Sequence, residues 1–207
     1  RPLIEAAHYS TFEEIAHSEG PLAGTRSRLL SRDDEDGAFS AMVKAPAGTV
    51  LRPDPARSLE VFVMSGHAEL GDEELKPGFY GYVAPGEDHA ITARQDSLIF
   101  YATGEQGTGS GTSVVVDPDT IPWRIRIRED ITPATTEVVL DLVDGDKPPV
   151  TVNRVPGSGA SVNIVKFLRS DETGGSASIG AMFPGSGLDC AESHVSVDES
   201  LSLRGDL

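Results

Sequence analysis

Short apolar runs, broken at close intervals by turn residues, dominate the chain. Strands are predicted at Ala38–Val43, Leu59–Met64, Phe79–Ala84, Ser97–Ala102, Val114–Val116, Trp123–Arg128, Glu137–Val143 and Ser161–Leu168. These runs are β-branched or aromatic, and turn-forming residues bound them. Pro46-Ala47-Gly48, Pro77-Gly78, Pro85-Gly86 and Pro184-Gly185 are the clearest turn marks. Residues 10–18 predict one short helix. Ser10 and Glu13 have capping-box spacing there, and Phe12, Ile15 and Ala16 form an apolar stripe. Gly104–Gly111 reads as a connector. Many short strands with regular breaks predict an all-β jelly roll or sandwich.

An internal repeat organises these strands. Leu30-Ser-Arg-Asp33-Asp-Glu-Asp-Gly37, Ala41-Met42 and Leu59–Gly66 form a first copy. Leu168-Arg-Ser-Asp171-Glu-Thr-Gly-Gly175, Ala181-Met182 and Asp198–Gly205 form a second. The offsets are 138 from Leu30 to Leu168, 140 from Ala41 to Ala181 and 139 from Gly66 to Gly205. A near-constant offset over three blocks indicates one repeat and the front part of another. The expected organisation is an N-terminal barrel over residues 1–104 with its leading helix, connecting strands over 105–130, and a second, incomplete barrel over 131–207. The first copy continues from Gly66 to about Ala102, so the second is expected to lack about 35 residues. The expectation is a truncated sequence. The alternative is completion by another segment or subunit, because an open jelly roll would expose long strand edges.

Composition narrows the function. The 207 residues include 22 Gly, 14 Pro and 38% apolar residues, which suits a turn-rich β protein. Net charge is −16, from 33 acids against 17 bases. Such a polyanion repels phosphate backbones and anionic lipid, so neither nucleic acid nor membrane is an expected partner. Arg124-Ile-Arg-Ile-Arg128, the one dense basic stretch, reads as a strand with one charged face. No apolar run reaches the roughly 20 residues that span a bilayer. The single cysteine, Cys190, can form no intramolecular disulfide. With no secretory signal visible, a cytoplasmic location is expected.

The motifs resemble those of the cupin superfamily. Gly78-Phe-Tyr-Gly-Tyr-Val-Ala-Pro85-Gly86-Glu-Asp-His89 looks like the cupin block with a Pro-Gly turn and a His three residues later. Gly187–Gly205 looks like the other cupin block, which supplies ligands at i and i+2, an acid at i+6 and a Gly seven residues on. Glu192, His194, Asp198 and Gly205 hold that spacing. The style is that of anti-sigma-factor-type, ChrR-like cupins in a tandem (bicupin) arrangement of double-stranded β-helices. The Glu-x-His-Val spacing also resembles ureidoglycine aminohydrolase, whose manganese sits in its second barrel.

The resemblance implies a divalent ion, Mn, Fe or Zn, at Glu192, His194 and Asp198. One imidazole and two carboxylates suit such ions. Residues i and i+2 of a strand share a face, so Glu192 and His194 would lie about 7 Å apart along it. With Asp198 inward, Ser200 and Ser202 also point in, beside Cys190, and make a polar cavity. The competing phase puts Leu201 and Leu203 inside. The first copy offers Pro53, Pro55 and Leu59 at the ligand positions, and none can ligate through its side chain. Its weak candidates are His89 and Glu60. Its inward face should be Leu59, Val61 and Val63. Its outer face, with Phe62 and Met64, should be covered by the other barrel or by a second subunit, and a homodimer is expected. Three functions follow: a metal-dependent enzyme acting on a small polar molecule, with catalytic residues unassigned; a non-catalytic sensor of metal or ligand; and a metal-free structural bicupin.

Overall fold

The computed structural model describes residues 13–104, 112–122, 124–126, 163–170 and 176–182. Its strands are β1 (Ile15–Ala16), β2 (Arg26–Arg32), β3 (Phe39–Ala45), β4 (Val50–Leu51), β5 (Leu59–Ser65), β6 (Ala68–Leu70) and β7 (Glu73–Leu75). Then follow β8 (Tyr80–Val83), β9 (Ile91–Ala93), β10 (Ser97–Thr103), β11 (Val114–Val116), β12 (Arg124–Arg126), β13 (Asn163–Ser170) and β14 (Ser176–Met182). The longer strands β3, β5 and β10 alternate most clearly between a buried and a less buried face. A seven-stranded sheet runs β1-β2-β3-β10-β5-β8-β11, and a four-stranded sheet runs β4-β9-β6-β7. A third, of three strands, runs β12-β13-β14. The described residues are all-β apart from one 3-10 turn, Pro118–Thr120. None forms a helix long and apolar enough to cross a membrane.

The chain divides into two units. One joins residues Arg1–Pro122 to Lys166–Ile179; the other comprises Trp123–Val165 and Gly180–Leu207. Within the first, β5 shows how alternation places the core. Leu59, Val61 and Val63 are 0%, 1% and 0% exposed, as expected, while Glu60, Phe62 and Met64 between them are half-buried. Val43 and Ile99 extend that apolar face across the larger sheet. Leu51, Leu70, Leu75 and Ile91 meet it from the smaller sheet. Each large aliphatic side chain buried this way contributes about 1.5–3 kcal/mol. The strands lie close enough that a Cβ at Gly81 would stand 2.9 Å from Val61 Cγ2.

Leu30 and Leu168 lie on β2 and β13, while Ala41-Met42 and Ala181-Met182 lie on β3 and β14. A short strand flanks each pair, β1 beside β2 and β12 beside β13.

The expected helix is absent where residues 13–18 are described. Ile15 and Ala16 instead pair with Ser27 and Arg26 in β2. Capping-box spacing is a local signal, and two ion pairs to the neighbouring strands override it: Glu14 accepts from Arg26 Nε, and from Lys44 Nζ at 2.6 Å. These partners, Lys44 first, pull the Glu14 carboxyl down to about 2. Its folded pKa lies below the unfolded one, so its stabilisation is full above about pH 5 and disappears as pH falls toward 2. Glu14→Gln should therefore lower the urea midpoint at pH 7 and leave it nearly unchanged at pH 2. An equal difference at both pH values would remove the ion pairs from the account.

Strands β2, β4, β6, β7, β9 and β14 are not among those predicted. Four of them, β4, β6, β7 and β9, have only two or three residues, too few to show an alternation, and β2 carries three arginines among its seven residues. The expected strand Glu137–Val143 lies outside the described residues.

Candidate functional site

The outer face of the larger sheet carries an ionic cluster. Strand β8 is buried on both sides: Gly81 and Val83 face the core, and Tyr80 and Tyr82 point the other way. Leu168 joins Tyr80, Tyr82 and Ala84 in a second apolar cluster, with Phe62, Val116, Ile121, Ala177 and Ile179 packed against it. The chain itself thus covers the face expected to be buried. Arg169 follows Leu168 on β13 and binds across this surface. Its Nη2 donates to Glu60 Oε1 at 2.6 Å and its Nε to Tyr80 Oη at 3.2 Å. Its guanidinium carbon stands 4.2 Å from the centroid of the Tyr82 ring. Burial, and then the Glu60 charge, push the Tyr80 hydroxyl well above its usual range. Tyr80 is therefore neutral, free to accept from Arg169. On the same strand, the buried Lys166 donates to Pro118 O at 2.7 Å.

Glu60 is thus placed on the outer face, with its carboxylate held by Arg169. His89 lies elsewhere, in the segment between β8 and β9, with 41% of its side chain exposed. Its Nε2 is 2.9 Å from Glu87 Oε2. Ser113 first, and then His89, hold the Glu87 carboxyl below the usual range. The two first-copy candidates therefore have separate partners. Among the described residues, no group of three or more His, Cys, Asp or Glu is placed to hold a metal ion. Pro53, Pro55 and Leu59 provide no ligating side chain at the three positions that match Glu192, His194 and Asp198. Glu192, His194, Asp198, Ser200, Ser202 and Cys190 lie outside the described residues.

Sequence reasoning missed Arg169, Tyr80 and Tyr82. The Tyr80 and Tyr82 spacing carried a signal: two tyrosines at i and i+2 on a strand whose other face is apolar imply a second buried surface.

The family model described as the ChrR Cupin-like domain matches residues 5–106. Among curated proteins none matches the chain. A candidate dioxygenase from Nostoc punctiforme is similar in structure, with TM-score 0.52 and 17% identity. The match covers 84% of this chain and 59% of that one. The anti-sigma ChrR of Rhodobacter sphaeroides, solved in complex with SigE, gives TM-score 0.38 at 15% identity over 47% of this chain and 52% of that one. An acetylacetone dioxygenase from Acinetobacter johnsonii gives 0.39 at 16% over 56% and 85%. The chain spans between half and three-fifths of the length of the first two structures. Residues 5–106, just under half of the chain, are similar to the ChrR Cupin-like domain, and the all-β sheets of the described residues agree with that likeness.

Proposed function

We propose that the protein is a metal-dependent cupin that acts on a small polar molecule, with its ion in the second copy on Glu192, His194 and Asp198. The contrast between the copies carries this reading. Where the first has Pro53, Pro55 and Leu59, the second has two carboxylates and an imidazole at the cupin spacing. That donor set suits a divalent Mn, Fe or Zn ion. The matching strands β2–β3 and β13–β14 support a second copy built on the same plan. A bound ion would supply Lewis acidity, or oxygen activation if it is iron. Ser200, Ser202 and Cys190 would line the cavity and orient the ligand.

A second reading is favoured by the family match alone. The ChrR-like domain suggests a sensor that binds metal or ligand and controls a partner without turnover.

Metal analysis of the purified chain is the first test. About one divalent ion per chain is expected, and His194→Ala should lose it with the circular dichroism spectrum unchanged. An ion retained by His194→Ala refutes the ligand set; a metal-free wild type refutes the metal reading. Product formation across a panel of small polar substrates then separates enzyme from sensor.

A further inference from the structure

Near one end of the larger sheet, basic side chains line an open strand edge. Strand β2 pairs with β3 along its length, but on its other side β1 reaches only Arg26 and Ser27. From Arg28 to Arg32 that edge has no strand partner among the described residues. Unpaired N–H and C=O groups on an edge form a template for another strand. Alternation puts Arg26 and Arg28 on the outer face together with Lys44, which lies opposite Arg26. Arg32 follows a register shift between Leu29 and Ser31 and is exposed as well. Arg28 and Arg32 form no ion pair among the described residues. In a chain of net charge −16, three arginines within seven residues make a local reversal of sign.

Charge on an edge can serve only to keep other strands away. The chain itself shows a second use. Glu14, next to β1, brings its carboxylate to Arg26 Nε and, at 2.6 Å, to Lys44 Nζ. A segment lying along β2 thus already delivers an acid to this basic face, and Arg28, two residues further along the same face, lacks the matching one. The β2 edge of a second copy would set arginine against arginine, and like charges directly opposite each other destabilise a strand pair. A nucleic acid has no peptide groups to meet the edge, and the rest of the polyanionic chain repels it. We propose that the β2 edge from Arg28 to Arg32 takes an extended acidic segment of a partner protein by strand addition. Main-chain hydrogen bonds would hold the segment, and its carboxylates would meet Arg28 and Arg32. The inference is independent of any ion in the second copy.

The probe is a fluorescein-labelled octapeptide of alternating Glu and Thr, titrated against the full chain. Its anisotropy should rise saturably, and in the 15N-labelled chain the shifted amides should concentrate at residues 28–32. The same peptide N-methylated at alternate residues keeps every charge but loses the donors that face the edge. It should bind about tenfold more weakly. Arg28→Glu should weaken the parent peptide about tenfold. Arg52→Glu, the same charge change at another exposed arginine, should alter it by less than about twofold. The wild-type comparison of the two peptides decides the matter even if Arg28→Glu folds poorly. Equal binding of both would mean charge attraction without strand pairing, and that overturns the proposal, as does the absence of saturable binding. Shifts at residues 28–32 that grow with the concentration of the chain alone would make a second copy the occupant, which also overturns it.

Discussion

Gly66→Ala is expected to destabilise the N-terminal sandwich by about 3–5 kcal/mol, enough to leave much of the protein unfolded at 37 °C. Gly66 follows β5 with φ +86°, a conformation that side chains rarely adopt. A Cβ there would stand 2.3 Å from Asp96 O and 2.6 Å from Ser97 Cα. Both are backbone atoms, so no rotamer change relieves the clash. The tight approach has a cause: Ser97 Oγ donates to His67 O at 3.1 Å, drawing β10 against the turn. The pairing of β10 with β5 shifts register nearby, between Leu98 and Ile99. Chemical denaturation of Gly66→Ala beside Gly78→Ala checks the prediction. Gly78 also has positive φ, but nothing lies within 4 Å of its Cβ position, so it should lose only about 1 kcal/mol. Equal losses at both glycines would mean that the contact with Asp96 contributes nothing.

Arg169→Ala is the second large effect, about 2 kcal/mol. Breaking a fully buried ion pair costs roughly 3–5 kcal/mol. Here Glu60 keeps 30% of its side chain exposed, so water screens part of the interaction. The substitution also strips the Tyr82 ring of its cation and leaves the Tyr80 hydroxyl short of a donor. Arg169→Met should recover part of the loss, since it restores packing but not charge. A double-mutant cycle with Glu60→Gln should show a coupling of about 1 kcal/mol. A coupling near zero would make the cluster a packing contact only.

The alternation in β5 could be read directly, because its two faces differ sharply: Leu59, Val61 and Val63 on one side, Glu60 on the other. The coverage of the outer face could also be anticipated, from Phe62 and Met64. What covers it could not. Arg169 meets Glu60 across 109 positions of chain, and no local pattern carries a contact of that separation. The helix expected near Ser10 fails, in its described part, for the same reason. Its capping signal is local, whereas the ion pairs of Glu14 to Arg26 and Lys44 are not. Tyr101 has the alternation of any core residue, and only the lack of a hydrogen-bond partner for its hydroxyl among the described residues sets it apart. The metal ligands rest on spacing in the second copy, which is a sequence argument throughout.

The N-terminal sandwich takes strand residues from both ends of a long detour in the chain. Tyr80 waits for Arg169, 89 residues later, before its outer side is closed. Synthesis on the ribosome delivers those partners several seconds apart at ordinary elongation rates. In that interval the exposed tyrosine face is a target for chaperones or for another nascent copy. Slow codons or a stall between residues 122 and 166 would lengthen the exposure, and with it the risk of misassembly.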